Sequence, residues 1–380
     1  MEFINVKLSD IGEVVGGSTP STKNPDNYDG NIAWITPKDL AGYNKVYISR
    51  GERNITEAGF KSCSTKMLPK NSVLFSSRAP IGYVAISEND LCTNQGFKSI
   101  IPNEKVDYKF LYYLLKHNKD YIASKGSGST FKEVPGSVMK GIELSIPKDI
   151  NDQRRISKVL FDIDKKIELN NEINNNLQEL AKSIYYEKFK DKSNNGKLKD
   201  ILDLHRKSIK NKDENLKYFP VDVLPMNYLI TKAGKPNEEA QSSLVEFKKY
   251  DILVGAMRVY FHRVCLAAEN GITRTTTFVL RPKDDNYLYY SLITLDKDDF
   301  IQYANDGSKG STMPYAVWDN NCNEYDIYVP TLNEAKDFNN LVKPLFEIQI
   351  INEKNNRDLE QLRDTLLPKL MNGEIDLDNI

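Results

Sequence analysis

Two arginines and two glycine-rich tracts carry residue types that suit contact with a nucleic acid. Arg78 and Arg258 each follow a short apolar run typical of a strand. A guanidinium fork there can bind guanine O6 and N7 or a phosphate, and a structural salt bridge is an equal alternative. The tracts 126–130 and 307–312 combine glycine, which lets a backbone approach phosphate closely, with hydroxyl donors. An ordinary surface loop is the alternative for each tract, and recurrence in both halves of the chain favours binding.

Positive charge must be clustered for such binding, because 52 basic and 53 acidic residues leave a net charge of −1. Lysines beside the tracts add local charge, and two further arginines of the second half are weaker candidates. The candidate contact residues are Arg78, Lys125, Gly126, Ser127, Gly128, Ser129, Thr130, Lys132, Arg258, Arg263, Arg274, Ser308, Lys309, Ser311 and Thr312.

Motifs of covalent chemistry are missing from the sequence. It has no Gly-x-Gly-x-x-Gly, no Gly-x-x-x-x-Gly-Lys-Ser/Thr and no Pro-Pro pair, so it lacks the usual marks of a nucleotide-binding enzyme or an adenine methyltransferase. His117, His205 and His262 show no metal-ligand spacing. We expect no catalytic centre, no metal and no cofactor. A self-contained nuclease or methyltransferase remains an alternative, because catalytic sites without such motifs exist.

Composition favours a folded protein of the cytoplasm. No run of 18 apolar residues could cross a membrane, and the N-terminus lacks the pattern of a signal peptide. Four cysteines lie far apart without a Cys-x-x-Cys, which argues against a disulfide scaffold and favours a reducing compartment.

The chain also contains an internal repeat of roughly 180 residues, which indicates duplicated domains. Segment 7–11 resembles 197–201, and 126–130 resembles 307–312. The run 70–75, followed by Arg78, resembles 249–254, followed by Arg258. Further matches occur in the same order, and each half closes with a long helical pattern.

The two helical patterns, from Asp152 to about Lys190 and from about Glu334 to Leu370, have the heptad spacing of a coiled coil. The predicted inner positions are Ile156, Leu160, Ile163, Ile167, Asn170, Asn174, Leu177, Ala181 and Ile184 on the first helix, and Leu341, Leu345, Ile348, Asn352, Asn355, Leu359, Leu362 and Leu366 on the second.

Paired asparagines predict the register of these helices. If the helices run antiparallel, Asn170 faces Asn355 and Asn174 faces Asn352, with apolar layers on both sides. Buried asparagines cost stability unless paired, but they fix register and orientation. The alternative is that the asparagine-rich stretch 170–176 is a solvated face or a helix break.

The predicted fold class is α+β with pseudo-two-fold internal symmetry. Two similar, strand-rich globular domains at 1–150 and 191–331 are separated by long helices at 151–190 and 332–380, which form an antiparallel coiled coil. A helix of about 34 residues is about 50 Å long. It would hold two heads apart over two DNA tracts separated by a spacer of several base pairs.

Several phrases resemble the specificity subunits of Type I restriction–modification systems, over the whole chain. The phrases lie at 11–21, 32–40, 77–85, 94–97, 362–370 and 372–375, and Leu362-Arg363-Asp364-Thr365-Leu366-Leu367-Pro368-Lys369-Leu370 is the most specific.

The resemblance implies a non-catalytic subunit with two target-recognition domains, each reading one half of a split, asymmetric site in double-stranded DNA. It implies that the helices set the spacer and dock two modification (methyltransferase) subunits, with restriction (translocase and nuclease) subunits joining the complex. It also adds Ser18, Thr19 and Lys38 to the candidate DNA contacts. Residues 257–262 depart from 77–82, which implies two different half-sites. A coiled-coil protein-interaction scaffold without DNA specificity is the alternative function.

Overall fold

The computed structural model describes residues 1–128, 132–209, 216–240 and 244–375. Within these ranges the first half of the chain is a mixture of short strands and helices that ends in one long helix. Its elements are β1 (Phe3–Lys7), α1 (Leu8–Ile11), β2 (Gly12–Gly16), β3 (Tyr28–Ile32), β4 (Trp34–Ile35), β5 (Tyr47–Ile48), α2 (Glu57–Lys61), β6 (Val73–Phe75), β7 (Val84–Ser87), β8 (Cys92–Thr93), β9 (Lys98–Pro102), α3 (Tyr108–His117), α4 (Lys119–Ser124), α5 (Gly136–Lys140), β10 (Glu143–Pro147) and α6 (Ile150–Phe189).

The second half follows the same plan. Its described elements are β11 (Gly196–Lys197), α7 (Leu198–Ile201), β12 (Leu202–His205), β13 (Ser208–Ile209), β14 (Lys217–Tyr218), β15 (Leu244–Phe247), β16 (Ile252–Gly255), β17 (Val264–Leu266), β18 (Gly271–Arg274), β19 (Thr277–Pro282), α8 (Leu288–Leu295), α9 (Asp298–Asp306), β20 (Asp326–Ile327) and α10 (Leu332–Met371). Short 3-10 turns lie between them, including one at Val259–Phe261.

Sheet order confirms the duplication. The first half has a sheet in the order β2-β9-β6-β7-β5, and the second half repeats its first four strands as β12-β19-β16-β17. The small sheet β1-β10 likewise corresponds to β11-β20. A further sheet, β13-β15-β18-β14, belongs to the second half, whereas the first half has the pair β4-β8. The mixed α and β fold with two similar domains and two long helices is therefore as predicted.

The chain forms two compact units that do not follow the sequence order. Unit 1 comprises Met1–Glu168 and Asp358–Ile380, and unit 2 comprises Leu169–Arg357. Each unit therefore contains one strand-rich half together with parts of both long helices. Unit 1 is centred on buried side chains such as Phe75 and Phe110, and unit 2 on others such as Phe247, Tyr289 and Phe300. The finer division at 150, 190 and 331 stays a prediction.

Antiparallel pairing of α6 and α10 is visible within each unit. In unit 1 the Asp164 carboxylate of α6 accepts a 2.7 Å bond from the Arg363 guanidinium of α10. In unit 2 the Asn352 Nδ2 of α10 lies 2.8 Å from the Asn174 Oδ1 of α6. As the residue number rises along α6, from 164 to 174, the number of its partner on α10 falls, from 363 to 352, so the two helices run antiparallel.

The predicted partner of Asn170 is wrong by one residue. Asn170 Nδ2 donates to the Oδ1 of Asn356 at 2.8 Å, whereas Asn355 is exposed. Asn170 and Asn174 lie four residues apart, and so do Asn352 and Asn356. In the internal repeat, Asn170 corresponds to Asn352 and Asn174 to Asn356, so the two asparagine bonds are equivalent. The two paired asparagines of α10 lie four residues apart, whereas the prediction placed them three apart.

Three of the predicted apolar positions of α10 are also wrong, whereas Leu345 and Leu366 pack against the cores of their units. Leu341, Ile348 and Leu362 are between two-fifths and one-half exposed, because the face one position further along points inward. That face carries the buried apolar residues Val342 and Phe346 and, further along, the buried polar residues Gln349 and Glu353. Heptad spacing predicts that the apolar stripe is the buried one, which fails where polar residues such as Gln349 and Glu353 face inward and leucines face outward.

Candidate nucleic-acid interface

Each unit contains a tight loop built on one of the glycine-rich tracts. Two backbone hydrogen bonds of 2.9 Å join Ser127 to Glu133 in unit 1, and two of 2.9 Å join Lys309 to Tyr315 in unit 2. The residue after the first member of each pair is a glycine with positive φ, a backbone conformation that favours glycine. These loops are structural counterparts. Ser129 and Thr130 of the predicted site lie outside the described residues.

The segments that follow β6 and β16 are also counterparts, and they correct the predicted alignment of two arginines. The Arg78 amide lies 3.3 Å from the Gly96 carbonyl, and the Met257 amide lies 3.3 Å from the Thr276 carbonyl. Met257, and not Arg258, therefore occupies the position of Arg78. The sequence match pairs Arg258 with Arg78, but Arg258 lies one residue after the position that is structurally equivalent to Arg78.

The Arg78 side chain is held by an acidic neighbour. Its Nε lies 2.8 Å from Glu133 Oε2, and the Lys98 ammonium lies 3.3 Å from Glu133 Oε1. Partial burial acts to raise the pKa of Glu133, but hydrogen bonds and charge from Arg78 and Lys98 outweigh it and lower the pKa. The carboxylate stays ionised between two cations and binds Arg78 through Nε, and the Arg78 side chain is about half exposed.

Arg258 has a different environment. It adopts a left-handed backbone conformation with φ 50°, its amide donates to the Pro314 carbonyl at 2.7 Å, and its side chain is exposed. Among the described residues, none forms an ion pair with it. The same short turn ends at His262, which also has positive φ.

His262 fixes this turn to the end of α8. Its Nε2 lies 3.0 Å from Asp296 Oδ1, and the Lys182 ammonium of α6 lies 2.7 Å from Asp296 Oδ2. The hydrogen bond with Asp296 raises the pKa of His262 despite its burial. A buried carboxylate shared by a histidine and a lysine thus anchors the segment that presents Arg258.

Two further arginine candidates have structural contacts. Arg263 Nη1 donates to the Asp222 carbonyl at 3.0 Å and also to the Leu224 carbonyl, so its guanidinium braces a loop. Arg274 is exposed beside Tyr218. Arg263 is therefore the weaker of the two as a DNA contact.

Ser18 and Thr19, two of the residues named on family resemblance, are partly exposed and lie in the segment that follows β2. The Ser18 amide donates to the Thr93 carbonyl at 3.0 Å, and its own carbonyl accepts from Trp34 Nε1 at 3.1 Å. Thr19 Oγ1 donates to the Gln95 side chain. These bonds fix the backbone of the segment that follows β2.

The remaining candidates are exposed or partly exposed. Lys38 forms an exposed ion pair of 2.7 Å with Glu52, and the Lys125 ammonium lies 4.8 Å from the ring centroid of Tyr121. Ser308 Oγ donates to a helix carbonyl. Gly126 is half-buried. The exposed remainder is Ser127, Gly128, Lys132, Lys309, Ser311 and Thr312.

Three partners in this interface were not predicted: Glu133, Lys98 and Tyr315. Glu133 and Tyr315 close equivalent loops, so the recurrence of a glycine at 128 and 310 could have identified them. Lys98 had no such signal, because its role depends on a contact with Glu133 across 35 residues of sequence.

No group of His, Cys, Asp and Glu that could hold a metal ion occurs among the described residues. No described helix is both long enough and apolar enough to span a membrane. All four cysteines are free thiols.

Comparison with known proteins identifies the family. The model of the Type I restriction modification DNA specificity domain matches the chain twice, at residues 2–179 and 190–361. The Type I restriction enzyme MjaIX specificity subunit of Methanocaldococcus jannaschii is 35% identical, over 98% of this chain and 94% of that protein. The EcoR124I/EcoR124II specificity subunit of Escherichia coli is 30% identical over 41% of this chain and 40% of its own length.

A solved structure has the same fold. The S subunit of the Type I restriction–modification system of M. genitalium aligns with a TM-score of 0.63 at 16% identity, over 97% of this chain and 96% of that one. Two family matches that together span both halves, and a relative at 35% identity along the whole chain, agree with the duplicated fold. The chain therefore belongs to the Type I restriction modification DNA specificity family.

Proposed function

We propose that this chain is the sequence-specific DNA-binding subunit of a Type I restriction–modification complex. The match of the specificity-domain family to both halves of the chain carries the proposal. Each unit reads one half of a bipartite, asymmetric site in double-stranded DNA through its glycine-rich loop and the segment after β6 or β16. The two loops end in different side chains, Glu133 and Tyr315, which supports two different half-sites.

The long helices set the length of the spacer and dock two modification subunits, to which restriction subunits add. Exposed apolar side chains on the helices support this docking. Leu169, Ile173 and Leu180 recur on one side of α6, and Leu341 and Ile348 recur seven residues apart on α10. Large apolar side chains that recur along one helix face and stay exposed mark a protein-interaction surface.

The chain contributes recognition, and its partners contribute catalysis and any cofactor. Its relatives bear the name of specificity subunits, and its sequence lacks the motifs of nucleotide-dependent catalysis. Four free cysteines suit a reducing compartment, the cytoplasm.

Co-expression with the modification subunit of the same system, followed by footprinting, tests the proposal. We expect a stable complex that protects two short tracts separated by an unprotected spacer. A complex that shows no preference for any sequence would support the protein-interaction scaffold instead. Methyl transfer by the purified chain alone would contradict a non-catalytic role.

A further inference from the structure

At structurally equivalent positions, unit 1 has charged side chains and unit 2 has apolar or aromatic ones. In unit 1, Arg78, Glu133 and Lys98 form a network of three charges. Glu133 corresponds to Tyr315 because both close the glycine-rich loop, and Arg78 corresponds to Met257 because both follow the equivalent strand. Isolated β-bridges pair Arg78 with Glu133 and Met257 with Tyr315 in the same manner.

The third member of the network also has an apolar counterpart. Strand β6 pairs with β9 at Ile100, and β16 pairs with β19 at Leu280. Two residues earlier on each partner strand stand Lys98 and Phe278. An arginine, a glutamate and a lysine in unit 1 thus correspond to a methionine, a tyrosine and a phenylalanine in unit 2.

The apolar counterpart opens into a cavity. A pocket of about 460 Å³ lies between β12, β15, β19 and the segment after the glycine-rich loop, and Phe278, Tyr315 and Trp318 are part of its wall. The Phe278 and Trp318 rings pack edge to face with their centroids 5.8 Å apart. Both rings are buried, whereas Tyr315 is half exposed. The wall also includes His205, Arg206 and Asp319, and Arg206 forms an ion pair with Asp319. Its aromatic part accepts an apolar group.

We propose that this pair of equivalent sites determines what each half-site must contain. Arg78, positioned by Glu133 and Lys98, reads a guanine in the half-site of unit 1. The Phe278–Tyr315 pocket receives the C5 methyl group of a thymine in the half-site of unit 2. The inference rests on the proposed function and adds the base that each unit requires.

Arg78 has the geometry of a guanine reader. Glu133 binds its Nε, and no described residue binds its two terminal nitrogens, which can therefore reach the O6 and N7 acceptors of guanine in the major groove. Lys98 holds the other carboxylate oxygen, and its side chain is only 16% exposed. The guanidinium is therefore held in one orientation before DNA arrives, which reduces the entropy lost on binding.

The unit 2 pocket has cations beside it that suit DNA. Lys309 pairs with Tyr315 through the backbone, and Arg258 is bonded to Pro314, one residue away. Both cations are exposed, and neither forms an ion pair with a described residue. Phosphates can therefore bind at the rim, while the thymine methyl is the one large apolar feature that a base edge presents in the major groove.

Base analogues test the proposal in the complex with the modification subunit. The target site is carried on a labelled duplex, and its affinity is measured by fluorescence anisotropy. Each guanine is replaced singly by 7-deazaguanine, which lacks the N7 acceptor, and each thymine by deoxyuridine, which lacks the methyl group. The variants are Arg78→Met and Tyr315→Ser, and each is the control for the half-site of the other.

We expect the wild-type complex to lose about tenfold or more in affinity at one guanine of one half-site. Arg78→Met should abolish that sensitivity, and Tyr315→Ser should keep it. Deoxyuridine at one thymine of the other half-site should cost about fourfold, the value of one buried methyl group. Tyr315→Ser should abolish that effect alone.

A wild-type complex without these sensitivities, or variants that keep them, would overturn the inference while specific binding remained intact. Effects of either variant on both half-sites would also overturn it. If the wild-type complex bound the target no more tightly than a scrambled duplex, the proposed function and the inference would both fall.

Discussion

Replacing Asn356 by alanine tests the corrected register of the long helices. Asn356 is 4% exposed, accepts a 2.8 Å bond from Asn170 Nδ2 and donates a 3.0 Å bond to Asn171 Oδ1. The substitution leaves the buried Asn170 amide without this acceptor. A buried polar group that loses its partner costs about 1–3 kcal/mol, and alanine returns about 0.5 kcal/mol in helix propensity. We expect a net loss of about 1.5 kcal/mol.

The neighbouring Asn355 supplies a matched control. It is exposed, so Asn355→Ala should change stability by less than about 0.5 kcal/mol and in the favourable direction. Thermal unfolding followed by the circular dichroism of the helices measures both variants. For a unit of this size, about 1.5 kcal/mol lowers the unfolding midpoint by roughly 3–6 °C. Equal midpoints, or a larger loss for Asn355→Ala, would refute the register.

Three further predictions concern the anchor of Arg258, the helix pair of unit 1 and the spacer. Because Asp296 raises the pKa of His262, the stabilisation is present below the usual histidine pKa and is lost as pH rises through the folded value. His262→Gln should therefore lower the unfolding midpoint more at pH 6 than at pH 8.5, and a loss independent of pH would contradict this linkage. Arg363→Met leaves the buried Asp164 carboxylate, which is 6% exposed, without its cation. The free energy of unfolding of unit 1, measured with urea, should fall by about 3–5 kcal/mol. A loss below about 1 kcal/mol would show that the pair is not buried in solution. Deleting seven residues from each long helix shortens it by about 10 Å, so the methylated target should have a spacer about three base pairs shorter, and an unchanged spacer would contradict the proposed role of the helices.

Sequence alone was enough for the architecture but not for the faces of the helices. The duplication, the mixed fold and the two long helices follow from repeated phrases and from heptad spacing. The inner face of α10 did not, because Gln349 and Glu353 are buried while Leu341 and Ile348 are exposed. A face reserved for a partner protein has the same apolar pattern as a core, so periodicity cannot separate the two.

The internal repeat contains enough information to choose between Asn355 and Asn356 as the partner of Asn170. Asn355 and Asn356 are adjacent, and heptad spacing allows either one. The four-residue interval between Asn170 and Asn174 favours Asn356, since duplicated helices keep the same intervals. Use of the repeat on this point would have given the observed pairing.

Candidate contacts were harder to predict than the fold. Arg78 was identified, but its partners were not, because Glu133 and Lys98 come from separate elements that the sheet brings together. Met257 stands in the place assigned to Arg258, as the backbone hydrogen bonds show and as ungapped extension of the match between 70–75 and 249–254 would also have indicated. The sequence leaves a salt bridge at Arg78 and a role in DNA binding as alternatives, whereas the geometry makes them compatible.

Mapping of methylated bases tests the central claim most directly. The chain and its modification subunit are expressed in a host without other methyltransferases, and the host genome is sequenced for modified bases. We predict methylation at one asymmetric motif made of two specified tracts with a fixed unspecified spacer, and only when this chain is present. Methylation that persists without the chain, or a single uninterrupted motif, would contradict the account of two units that read two different half-sites.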